Sequence, residues 1–142
     1  MSGERRHAEL SREESLRLLA TVSLGRIVFT KRALPAVHPV SHIIDGGYLV
    51  IRGTAVPATS AAADAAGGAV VAYQADSIDK ETFSGWSVVV TGFAQRVSDP
   101  PEVARYQRML HAWGTGETDC VIRIKPELVT GCCLAGGGPP GE

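Results

Sequence analysis

Pro39-Val40-Ser41-His42-Ile43-Ile44-Asp45-Gly46-Gly47-Tyr48-Leu49-Val50-Ile51-Arg52 reads as a β-hairpin with a cationic end. Asp45-Gly46-Gly47 supplies the tight turn, because glycine reaches the positive φ that short hairpin loops need. The strand before the turn covers residues 36–44, and the strand after it covers residues 48–52. Pro39 has no N–H to give a ladder, so it points to an edge, a bulge or a break that faces a ligand. Further on, Gly85-Trp86-Ser87-Val88-Val89-Val90-Thr91-Gly92 reads as a second strand region, opened by an aromatic and a hydroxyl. Its strand, residues 87–97, is expected to be the longest in the chain.

Outward from the hairpin the pattern stays β-rich. Arg26-Ile27-Val28-Phe29-Thr30 alternates and is rich in β-formers, with a turn at residues 31–35. Upstream, Ser11 caps a helix and Glu14 completes a capping box, with Gly25 expected to end it. Leu16, Leu19 and Ala20 share one face, which should pack on a sheet. Downstream, residues 61–66 are almost all alanine and favour a short helix that Gly67-Gly68 would stop. A buried strand is expected over 69–75, and residues 76–84 read as a polar loop. Asp99-Pro100-Pro101-Glu102 opens another helix, which should run to about Trp113. Cys120 to Lys125 and Leu128 to Cys132 are expected as two strands divided by Pro126. Many strands joined by short turns, with few helices, predict a mainly β fold: an antiparallel barrel with peripheral helices.

Bulk properties narrow the function. The chain has 142 residues, 14 basic and 15 acidic residues and a formal net charge of -1, which predicts one domain and no pull toward nucleic acid. No apolar run reaches the length of a membrane span, and Met1 to Arg12 is too polar for a secretory signal. The three cysteines, Cys120, Cys132 and Cys133, have no metal-type spacing. A reducing, cytoplasmic setting is the simple expectation. His38 and His42 lie four apart on one strand face, but no third ligand accompanies them, so no metal site is expected. There is no serine–histidine–acid pattern, P-loop or dinucleotide glycine fingerprint.

Two places could carry chemistry. Arg52 ends a strand, Gly53 and Thr54 follow, and a short helix begins near residues 57–60. A guanidinium, a hydroxyl and free N–H groups at a helix start make a phosphate site; a solvated strand-end charge is the plainer alternative. Trp86 and Ser87 could meet a flat ring with an indole face and a hydroxyl, or simply be a packing anchor and a surface serine.

The order of these motifs resembles the FMN-binding split β-barrel family, the small proteins related to pyridoxamine 5'-phosphate oxidase. The motifs are the capped helix, Gly25-Arg26-Ile27-Val28-Phe29-Thr30, Pro39-Val40-Ser41-His42 with Asp45-Gly46-Gly47, the strand ending in Arg52, Gly85-Trp86-Ser87, and Leu128-Val129-Thr130-Gly131. The likeness spans Leu10 to Leu134. It implies a split-barrel domain over residues 11–134, with residues 1–10 as a flexible arm and residues 135–142 as a disordered Gly/Pro tail. It also implies a homodimer with FMN, or a deazaflavin, in the cleft between subunits. Pro39, Val40 and Ser41 would lie along the ring edge. Ile51, Arg52, Gly53 and Thr54 would reach the ribityl chain and phosphate, and Ser60 would add a phosphate hydroxyl. Trp86 and Ser87 would approach the flavin from the shared cleft. The flavin would do the redox work on a small-molecule substrate, with no dedicated catalytic base in the protein. Two departures stand out. Ala61 occupies a position where the family commonly has a lysine, a loss of about 1–3 kcal/mol opposite a phosphate. The basic, aromatic C-terminal segment of genuine pyridoxamine-phosphate oxidases is missing, so that substrate is not implied. The rival expectation is a non-catalytic split-barrel module that binds a ligand or regulates.

Overall fold

The computed structural model describes residues 6–53, 68–111 and 120–135. Its elements are β1 (Arg6–Leu10), α1 (Arg12–Leu19), β2 (Leu24–Lys31), β3 (Leu34–Asp45), β4 (Tyr48–Gly53), β5 (Ala69–Ile78), β6 (Gly85–Arg96), α2 (Pro100–Met109) and β7 (Cys120–Ala135). The strands form one antiparallel sheet in the order β1-β7-β4-β3-β2-β5-β6, and β6 returns to pair with β7. Six strands therefore close a ring, with β1 added at the far end of β7. This is the expected mainly β split barrel.

Alternation along the strands fills the ring. Ile27 and Phe29 of β2, Val71, Tyr73 and Ala75 of β5, Val88 and Val90 of β6, and Ile122 and Ile124 of β7 all point inward and are buried. Each fully buried aliphatic contributes about 1.5–3 kcal/mol relative to an exposed one. Strand β4 is buried on both faces: Leu49 and Ile51 enter the barrel, while Val50 packs outside against Tyr106 and Leu110 at α2. Both helix starts form as the sequence predicts. Ser11 Oγ accepts from the Glu14 amide at 3.1 Å, and an Asp99 carboxylate oxygen accepts from the Glu102 amide at 3.4 Å. Gly46 and Gly47 take the expected positive φ of 59° and 84°.

Several boundaries differ from expectation. Residues 6–10 pair with β7, from Arg6 opposite Ala135 to Leu10 opposite Gly131, so this part of the expected arm is a strand. Helix α1 stops before Ala20, and Gly25 lies within β2, where a Cβ would strike the Tyr73 ring. The turn after β2 is only Arg32-Ala33, both at positive φ without a glycine. Strand β5 runs on to Ile78 and alternates rather than being buried throughout. Helix α2 ends at Met109, short of Trp113. Pro126 does not divide two strands: β7 passes through it as the longest strand. Thr91 faces Leu128 and Gly92 faces Pro126, which leaves Glu127 as an extra residue in a bulge. The Pro126 carbonyl is taken up by Arg12 Nη2 at 2.9 Å. The expected alanine-rich helix over 61–66 lies outside the described residues, as do residues 1–5 and 136–142.

Candidate functional site

Strand β3 changes partner at Ser41. Residues 34–41 pair with β2, and residues 41–45 pair with β4. Among the described residues, Pro39 and Val40 therefore have a strand on one side only, which accommodates a residue with no N–H. Pro39 is exposed, Val40 is fully buried in the barrel, and Ser41 is buried under the end of α2.

Ser41 and Arg52 are direct partners across β3 and β4, on the outer face. Ser41 Oγ donates to the His111 carbonyl at 2.6 Å. Arg52 Nη1 donates to the carbonyls of Gln107 at 2.8 Å and Leu110 at 2.9 Å. The last carbonyls of a helix have no intrahelical donors and carry its negative dipole end, so a guanidinium there satisfies both needs. Arg52 is thus an anchor for α2, a role its sequence position did not disclose. Ile51 points into the core and is fully buried. Gly53 ends β4, and its carbonyl faces the Cys120 thiol at 3.8 Å. Thr54, Ser60 and Ala61 lie outside the described residues.

Trp86 and Ser87 sit elsewhere on the ring. In the order β4-β3-β2-β5-β6, closed by β7, strand β6 is three strands from β3 in either direction. Trp86 is half-buried against the barrel core, opposite Ser77 and Cys133. Ser87 lies opposite Asp76 and Cys132, and its Oγ accepts from Gln74 Nε2 at 3.2 Å. The structure therefore brings Pro39, Val40, Ser41, Ile51, Arg52 and Gly53 together at the β3–β4 junction. It does not bring Trp86 and Ser87 to them within one chain.

Next to the junction lies a buried polar pair, His42 and Tyr73, on strands β3 and β5. His42 is 1% exposed; its Nε2–H donates to the Leu19 carbonyl at 2.9 Å, and its Nδ1 accepts from the Tyr73 hydroxyl. Tyr73 also reaches the Val40 carbonyl at 3.4 Å. Burial holds the His42 imidazole below its usual pKa, partly offset by the Leu19 carbonyl, and burial pushes the Tyr73 phenol well up. Both groups are neutral and fully partnered, so they brace the barrel. His38 stacks on Phe29 with ring centroids 5.5 Å apart. Among the described residues no group of three or more His, Cys, Asp or Glu side chains could hold a metal, and no helix is long and apolar enough to cross a membrane.

On the other face of the hairpin, Asp45 receives Arg105 Nη2 at 2.9 Å and the Tyr106 hydroxyl at 2.5 Å. These two donors, the tyrosine first, hold its carboxyl below the usual carboxylate range. The start of the hairpin turn is thereby tied to the middle of α2, and Arg52 and Ser41 are tied to its end.

The fold agrees with known proteins. The family model described as pyridoxamine 5'-phosphate oxidase matches residues 11–132. The chain is 51% identical over 125 residues to the uncharacterized protein Rv0080 of Mycobacterium tuberculosis, covering 87% of this chain and 82% of that protein. A provisionally named pyridoxamine 5'-phosphate oxidase of Corynebacterium glutamicum is similar in structure, with a TM-score of 0.74, 29% identity and coverage of 92% of this chain and 99% of the other. An FAD-binding protein of Mycobacterium smegmatis is also similar, with a TM-score of 0.66, 28% identity and coverage of 90% and 97%. With a family match that spans nearly the whole barrel, the chain belongs to the pyridoxamine 5'-phosphate oxidase family.

Proposed function

We propose that this protein is a flavin-binding oxidoreductase that works as a homodimer, holding FMN in the seam between two barrels and acting on a small molecule. The observation that carries this reading is the separation of the two residue sets. Pro39 to Ser41 on β3 and Trp86 with Ser87 on β6 lie three strands apart around the ring, a spacing that suits a ligand shared between two chains, each supplying one set. A band of exposed apolar side chains offers a surface for that second copy. Val37 is 56% exposed and faces Val28 across the ladder; Val70 is 62% exposed and faces Phe93, which is 42% exposed. Exposed apolar pairs of this kind are the side chains a protein interface covers.

The residues fit a flavin in one respect that the fold makes visible. The side of β3 at residues 34–40 that no strand occupies among the described residues leaves main chain available for the polar edge of a ring. When bound, FMN would supply hydride or electron exchange, and the chain would supply placement and exclusion of water. The similarity to an FAD-binding protein supports a flavin of some kind. A second reading has its own support: Arg52 already serves α2, and Ala61 replaces a cation. On that reading the barrel binds a deazaflavin or another ligand, or regulates without turnover.

The absorption spectrum of the purified protein separates the two. Flavin bands, or quenching of added FMN fluorescence with micromolar affinity, together with a dimer mass by light scattering, support the first. A colourless protein that ignores both FMN and a deazaflavin moves the assignment to the second. A single-chain mass at micromolar concentration removes the shared seam altogether.

A further inference from the structure

A cleft of about 720 Å³ opens between the loop after α1, the second half of β3, the end of β5 and the last residue of α2. Among the described residues, none of those that the family resemblance assigns to the flavin lines it. Its lining includes the apolar Leu24, Ile43, Ile44 and Met109 and two opposite charges, Arg26 on β2 and Asp76 on β5.

The two charges are joined through a glutamine. Gln74 Oε1 accepts from Arg26 Nη1 at 3.3 Å, while Gln74 Nε2 donates to Asp76 Oδ2 at 2.7 Å. A carboxamide thus already bridges the guanidinium and the carboxylate, its carbonyl to one and its N–H to the other. A guanidinium has five N–H donors and a carboxylate has about four acceptor positions, so one glutamine amide leaves capacity on both. The bond to Arg26 is long for an N–H···O contact, which makes it the easier one to exchange.

We propose that this cleft binds a small planar molecule with an amide edge, its ring against Leu24, Ile43 and Met109 and its carbonyl and N–H on Arg26 and Asp76, in place of the Gln74 carboxamide. The pairing discriminates. A carboxylic acid of the same shape has no N–H for Asp76 and sets a like charge beside it, while an amine has no acceptor for Arg26. Displacing Gln74 also disturbs its bond to Ser87, so occupancy is felt at the start of β6. The inference does not rest on flavin binding: the side chains it places against the ligand are outside the flavin set, which it meets only through the Gln74 bond to Ser87.

The test is a nuclear magnetic resonance titration of the ¹⁵N-labelled full chain, without added flavin. Nicotinamide is compared with nicotinic acid and 3-picolylamine, which keep the ring and change only the edge. A ligand this small is expected to bind in the millimolar range. Nicotinamide should give saturable shifts at the amides of Ser23, Leu24, Ile43 and Ile44, with the acid and the amine weaker by about tenfold. Asp76→Asn, which swaps an acceptor for an amide of the same size, should weaken nicotinamide by about fivefold, and Gln74→Ala should tighten it because the internal competitor is gone. Equal binding of amide and acid, shifts that spare the cleft, no saturable shift, or weaker binding by Gln74→Ala would each overturn the proposal. A thermal melt of each variant confirms that the barrel is intact.

Discussion

At the β3–β4 junction, Ser41 and Arg52 end on the carbonyls of Gln107, Leu110 and His111, so their polar atoms are built into the attachment of α2. On the neighbouring strands β2, β5 and β6, Arg26, Asp76 and Ser87 share a single glutamine on a partly exposed surface. Both regions hold a serine, an arginine and hydrogen-bonded neighbours. They differ in what those bonds hold. At the junction the bonds fix one element of the fold to another, and losing them frees a helix. On β5 and β6 they set the resting position of side chains, and losing them frees only the side chains. The same residue type should therefore carry different energies at the two places.

The strongest way to break this contrast is at the buried neighbour of Ser41. His42→Ala should cost about 3–5 kcal/mol in urea denaturation, because it leaves a cavity and strands the Tyr73 hydroxyl and the Leu19 carbonyl. The same histidine gives a pH signature. Its folded pKa is depressed, so the unfolded chain binds the proton more readily. Stability is complete above the unfolded value of 6.5 and falls as the pH drops from there toward the folded value. Urea midpoints that do not fall between pH 7.5 and pH 5 would show that His42 is not held neutral.

Next comes the arginine pair. Arg52→Ala should destabilise by about 2 kcal/mol, since it removes two charge-assisted bonds to helix carbonyls, whereas exposed Arg26→Ala should stay within about 0.5 kcal/mol. Equal losses would erase the distinction between the two regions. The serine pair is the finest comparison. Ser41→Ala should cost about 1 kcal/mol, and Ser87→Ala should be nearly neutral within about 0.5 kcal/mol, both read from thermal midpoints.

Features fixed by local chemistry were legible in the sequence. The Ser11 and Asp99 caps, the Gly46-Gly47 turn and the alternating strands depend on residues within a few positions of each other. Strand β1 was not legible, because Arg-His-Ala-Glu-Leu shows no alternating apolar face and pairs with a partner more than a hundred residues away. Pro126 misled for a related reason: only the partner strand shows that a bulge lets β7 continue past it. At the candidate site, Arg52 was found by type and position, but its helix carbonyls lie 55 and 58 residues further along the chain. The cleft escaped altogether. Arg26 and Gln74 are 48 residues apart, and nothing local to either announces that β2 and β5 will lie side by side.

The handover of β3 from one neighbour to the other has a mechanical meaning. Over residues 34–40 the ribbon is fastened along one margin, and over residues 41–45 along the opposite one, with Ser41 shared by both. Among the described residues no ladder joins the second margin beside Pro39, so spreading there would break none, and Ser41 is the one residue held on both sides. A guest seated along that margin would meet exposed main chain rather than a described neighbouring strand, and would leave the closed circuit of six strands intact.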